Sequence, residues 1–259
     1  LRKYLTMHIF TFADIPYRIR SFSEILKDPH NTIIYDTEKE KTILERVAKI
    51  GADGKLLHRG DRLLKASLLE KLLITLMTKL SNLVPDGGIW MNTQRPEWND
   101  ANNALAGYGL SVVTTAYLHR FILFLQKLLP SGKHTLTVSE GTAAFFRDIF
   151  EVLSEYQPEV SDSQGVRRMA FVRSAGEAGE RYREKVYSGN FAASAETLTS
   201  DEIKAFLRRA ETVAAATLRH NKRSDNLFHS YNIMVLRNGG ILVDTLDEML
   251  EGQVAMLSS

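Results

Sequence analysis

The sequence predicts an all-α protein: a layered array of helices interrupted by one short β-hairpin near residues 231–243. Three observations carry this. Apolar residues recur at helical spacing over most of the chain. Ser/Thr-x-x-Glu helix starts appear three times. Only one stretch reads as strand, turn and strand. With 259 residues and 44% apolar side chains, the chain has ample material for a packed core, as one large domain or two small ones.

Taken in order, residues 15–27 read as a first helix. Thr37-x-x-Glu40 opens a second, over 38–50, since a Ser/Thr hydroxyl and a Glu carboxylate three residues on satisfy each other's backbone donors. Residues 61–80 place Leu64, Leu68, Leu72 and Leu76 at four-residue spacing, with Leu69, Leu73, Met77 and Leu80 in the next row. That arc is wider than a surface helix needs, so the helix is expected to be covered on most sides, with Asp61 as its N-cap. A second buried helix is expected from about Asn102 to Leu129, stopped by Pro130-Ser131-Gly132. Thr137-x-x-Glu140 and Thr199-x-x-Glu202 open helices over 139–156 and 200–221. Between them, 162–188 reads as a more polar helix with Gln164, Arg167, Arg168, Glu177, Glu180 and Arg183 toward solvent. Tyr231–Leu236 and Ile241–Val243 flank Arg237-Asn238-Gly239-Gly240, and an Asn-Gly pair supplies the positive φ that tight hairpins require. Residues 246–259 begin another apolar helical pattern without a later partner. This points to a single domain, 1–259, that is a fragment of a longer polypeptide. Short loops between very apolar and amphipathic helices suit an inner and an outer layer.

Composition narrows the partners. There are 33 Lys+Arg against 31 Asp+Glu, without the concentrated basic excess of a nucleic-acid-binding domain. No apolar run reaches the roughly 20 residues that span a bilayer, so no membrane partner is expected. The absence of cysteine removes disulfides and thiolate metal sites, and no two histidines have metal-ligand spacing, so neither a metal nor another cofactor is expected. Ser131-Gly132-Lys133-His134 lacks the upstream glycine and following Ser/Thr of a phosphate loop.

The chemistry is concentrated in residues 85–103, between the two most apolar helices. This stretch holds both tryptophans, Trp90 and Trp98, with Arg95, Glu97, Asn99, Asp100 and further amides. Aromatic faces suit the C–H patches of sugar rings, amides and carboxylates match hydroxyls, and a carboxyl group against tryptophan has its pKa raised toward use as a general acid. The competing reading is structural: Asp and Asn ahead of a long helix serve as caps, and Trp serves as core.

The run Glu97-Trp98-Asn99-Asp100 resembles the Trp-Asn-Asp motif of cellobiose phosphorylases and related six-hairpin glycosidases, and the wider RPEWNDANNALAGYGLS is similar to large, poorly characterised bacterial proteins of that group. The resemblance covers about twenty residues, and Ala101 stands where the phosphorylases usually carry Gly. It implies an (α/α)6 toroid, present here in part, because twelve helices are needed and about seven or eight fit. It further implies glycosidic-bond cleavage by hydrolysis or phosphorolysis, with Asp100 as general acid and Glu97 as the alternative acid. Trp90, Trp98 and Tyr108 would contact sugar, Arg95 and Asn99 would orient it, and Glu251 and Gln253 are candidates for the same cavity beside Glu248. The partners implied are an oligo- or disaccharide, inorganic phosphate as co-substrate in a phosphorylase, the rest of a longer polypeptide, and a second copy as homodimer. The compartment implied is the bacterial cytoplasm, with the periplasm as alternative. A non-catalytic glycan-binding or scaffolding domain is the competing function.

Overall fold

The computed structural model describes residues 2–92, 104–130, 132, 134–192, 194–257 and 259. The all-α, toroid-type expectation is overturned: the protein is mixed α/β, 52% helical and 20% strand, around a five-stranded antiparallel sheet curled into a half-barrel. Its strands are β1 (Leu83–Val84), β2 (Gly88–Trp90), β3 (Gly109–Ser111), β4 (Tyr231–Arg237) and β5 (Gly240–Thr245), paired in sequence order. The hairpin of β4 and β5 forms as expected, turning at Asn238 and Gly239, both at positive φ. The other three strands are two or three residues long, and every residue in them is buried. A strand covered on both faces shows no polar–apolar alternation, so nothing in their pattern separates them from helix.

The helices are α1 (Phe22–Lys27), α2 (Thr37–Ile50), α3 (Leu68–Leu80), α4 (Val112–Leu128), α5 (Glu140–Glu155), α6 (Val166–Tyr187), α7 (Ser200–His220) and α8 (Leu250–Met256). Several begin later than their periodicity implies. Asp61 is not a cap: Gly60 at positive φ turns His58–Arg59 back onto Arg62–Leu63, Lys65–Ala66 pairs with Phe10–Thr11, and the Ser67 hydroxyl accepts from the Glu70 amide to start α3. The single helix expected over about 102–129 is interrupted: residues 104–105 are helical, a turn follows at 106–108, Gly109–Ser111 joins the sheet, and Ser111 caps α4. Tyr17–Ile19 likewise pairs with Ile33–Tyr35, which shortens the expected first helix to α1.

Of the three expected capping boxes, only Thr199 with Glu202 forms as written. Thr37 is already helical behind the Asp36 cap, and Thr137 lies in a strand whose last residue, Ser139, caps α5. Ser21 and Glu24 form a further box at α1. Helix α6 lacks a capping side chain at Gly165, and the Asp162 carboxylate takes the amides of Arg167 and Arg168 instead.

The main core joins α3, α5, α6 and α7 to the inner residues of the sheet, with Leu73, Leu76, Met77, Phe206 and Ala210 fully enclosed. A smaller cluster of Val112, Val113, Leu218 and Tyr231 packs around Ala255 of α8. Arg168, expected toward solvent, is a buried anchor. Its Nε donates to the Pro85 carbonyl at 2.8 Å, Nη1 to Ile241 O at 2.6 Å, and Nη2 to the Asp86 carboxylate at 2.8 Å. Asp86 sits at φ 65 in the turn leading into β2. The Asn221 amide donates to the Asp86 carbonyl and the Asn232 amide to Gly87 O, so this turn is held from three elements. Near the end of the chain Leu250, Val254 and Leu257 are exposed. Among the described residues no helix is long and apolar enough to cross a membrane.

Candidate functional site

A cavity of about 440 Å³ opens between α1, the end of α3, β2 and α6, within the size range of small-ligand sites. One wall is aromatic. Trp90 is buried, its indole N–H donates to Gly107 O at 2.7 Å, and its ring meets Phe22 edge-on at 6.3 Å between centroids. Phe22 in turn lies over Gly176 of α6, where an added Cβ would come within 2.1 Å of the ring. Glycine is unfavourable inside a helix, and here it makes room for that close approach.

A second wall is polar. The Asn92 amide donates to the Asn82 side-chain oxygen at 2.7 Å, and the Asn82 amide donates to Thr78 O at 2.9 Å. Thr78, Lys79, Ser81 and Thr114 complete this side. Tyr182 and Arg183 enter from α6. Tyr182 stacks on Phe145, with centroids 4.7 Å apart. Burial first, and the Glu70 carboxylate second, push its hydroxyl well above the ordinary tyrosine range, so it stays protonated. That Glu70 is itself buried, accepting from the Ser139 amide at 2.9 Å and the Thr142 hydroxyl at 2.8 Å, and so ties α3 to the start of α5.

The chain enters and leaves residues 93–103 beside this cavity. The Met91 amide donates to Gly109 O, the Gly107 amide donates to Met91 O, and Met91, Asn92 and Ala106 all line the cavity. Of the residues singled out in the sequence, Trp90 stands in the cavity wall. Arg95, Glu97, Trp98, Asn99 and Asp100 lie outside the described residues. Tyr108 is partly exposed, packs edge-on against His30 at 5.5 Å, and is not part of the lining.

Glu251 and Gln253 are not brought to the cavity; they join α8 to the residues before and within β4. The Tyr231 hydroxyl donates to Glu251 at 2.8 Å, and Gln253 accepts from the Phe228 amide at 3.0 Å and donates to the Phe228 carbonyl at 2.7 Å. Glu248 pairs with Arg223. Among the described lining residues there is no carboxylate, and the charged groups are Lys79 and Arg183. Among the described residues no group of three or more His, Asp or Glu is placed to hold a metal ion.

The residues that sequence reasoning missed are Asn82, Lys79 and Arg183, together with the two glycines beneath them. One signal was available. Ala175-Gly176-Glu177-Ala178-Gly179 sets small residues on one face of a helix, and such a face invites a close neighbour. The chain matches no family model and no curated protein.

Proposed function

We propose that the cavity is the sugar site of a carbohydrate-active enzyme that cleaves a glycosidic bond, with Asp100 as general acid. The observation that carries the reading is the arrangement of Trp90, the Asn82–Asn92 amide pair and both chain arms flanking residues 93–103 around one cavity of about 440 Å³. An aromatic face with amides at its rim is the chemistry that sugar hydroxyls and C–H patches require, and Asn92 and Ala106, on either side of the stretch that holds the Trp-Asn-Asp run in sequence, line this cavity.

Phosphorolysis is favoured over hydrolysis. An inverting hydrolase needs a second carboxylate roughly 6.5–9.5 Å from the acid to activate water, and the described lining offers cations instead. In phosphorolysis the anomeric C–O bond breaks, Asp100 gives its proton to the leaving oxygen, and a phosphate oxygen forms the new bond to the anomeric carbon. A cytoplasmic location belongs to this reading, since phosphate is plentiful there. The lack of a carboxylate in the described lining also favours a second reading, a glycan-binding domain without catalysis.

Incubation with a panel of disaccharides, following both phosphate consumption and reducing-sugar release, tests the proposal. Activity should appear with phosphate and fall about 10²–10⁴-fold in Asp100→Asn with little change in melting temperature. Disaccharide binding without turnover would establish the second reading. Full activity in Asp100→Asn would reject Asp100 as the acid.

A further inference from the structure

Among the described residues Arg183 has no counter-ion. Its Nε is shut off from solvent without a hydrogen-bond partner, and among the described residues the side chain makes no ion pair. Two of the nearby groups are engaged elsewhere: Glu180 accepts from the Phe22 amide at 2.8 Å, and the Tyr187 hydroxyl accepts from the Ile19 amide at 2.9 Å. Burial holds the guanidinium below the ordinary arginine value, outweighing the opposite pull of Tyr187, Glu180 and Glu184.

A half-buried, unpaired cation is costly to fold, and its position is defined. Gly179, one turn earlier on α6, has room only because it lacks a side chain: an added Cβ would stand 3.2 Å from Arg183 Nη1 and 3.0 Å from the Ser81 hydroxyl. The guanidinium thus lies over a glycine beside a serine at the edge of a cavity that also carries Lys79 and no described carboxylate.

We infer that this cavity selects a ligand bearing an anionic oxygen group, phosphate, sulfate or carboxylate, which Arg183 receives with its planar donors while Lys79 adds charge at the mouth. The fork of a guanidinium matches two oxygens of such a group, and charge-assisted bonds of this kind are the stronger class. The anion is either free in solution or a substituent of the sugar. The inference rests on the cavity being the ligand site of the proposed function.

Calorimetric titration of the chain with inorganic phosphate, glucose 6-phosphate, glucose and cellobiose, at low and high salt, tests it. At least one of the two anions should bind, more weakly at high salt. Arg183→Gln should weaken that binding at least about tenfold, Arg183→Lys should retain part of it, and Arg173→Gln on the exposed side of α6 should leave it unchanged. Circular dichroism melts confirm that each variant is folded, and Arg183→Lys provides the comparison should Arg183→Gln fail to fold. Binding of both anions identifies a free oxyanion site, and binding of glucose 6-phosphate alone identifies a sugar substituent. Failure of both anions to bind the wild type, or equal binding by Arg183→Gln, overturns the inference. In either case cellobiose binding reports separately on the sugar site.

Discussion

Replacing Arg168 by Met is the most demanding test of how the site is held in place. The side chain is 8% exposed and its partner Asp86 17%, so water replaces little of what is lost. Methionine matches the aliphatic stem but strands the Pro85 and Ile241 carbonyls and the Asp86 carboxylate, all now bonded within 2.8 Å. Removing one partner of a buried ion pair typically costs ~3–5 kcal/mol, because the remaining charge is left uncompensated. For a chain of this size that is a fall of roughly 6–20 °C in melting temperature.

The companion substitution Asp86→Asn keeps a residue that tolerates positive φ and removes the charge. In the double variant the stranded carboxylate is gone, so the two losses should be less than additive by at least ~1 kcal/mol. Urea unfolding of the four proteins gives the coupling directly. Because the Pro85–Gly88 turn leads into β2, the Trp90 environment should change with it, visible as a shift in emission in a Trp98→Phe background. A melt for Arg168→Met within about 1 kcal/mol of wild type, or strict additivity with Asp86→Asn, would refute the argument that this pair holds the turn.

Two further outcomes follow from particular packing and titration. Gly176→Ala should lower stability by about 1–3 kcal/mol despite alanine's better helix propensity, since its Cβ would stand 2.1 Å from the Phe22 ring; thermal melting and ligand titration should both register it. Stability should also fall with rising pH above about 10. Burial raises Tyr156 to about 12 and raises Tyr182 and Tyr231 as well. A raised folded-state pKa stabilises fully below the unfolded value of ~10 and loses that contribution as pH climbs toward the folded value. Urea midpoints at pH 9, 10 and 11 should decline, and phenolate absorbance should show a late-titrating fraction that includes these three rings; absence of any late-titrating tyrosine would contradict the burial assigned to them.

Sequence alone determined those elements whose causes are local. The Asn238-Gly239 turn, the Thr199–Glu202 box and the wide apolar arc of Leu69, Leu73, Leu76 and Leu80 are each written within a few neighbouring residues, and each is present. The strands Leu83–Val84, Gly88–Trp90 and Gly109–Ser111 were not legible, because two or three buried residues acquire strand character only from partners far along the chain, as when Ile89 pairs with Ser111. The same holds for starts of helices: Asp61 and Ser67 are both acceptable caps by type, and the pairing of Lys65–Ala66 with Phe10–Thr11 decides between them. The site divides likewise. Trp90 stood out by residue type, whereas Arg168 and Arg183, similar arginines on one helix, differ in role because the Pro85–Asp86 turn meets one and a cavity meets the other. Burial of a charge is a property of what packs against it, and only the tertiary structure brings those groups together.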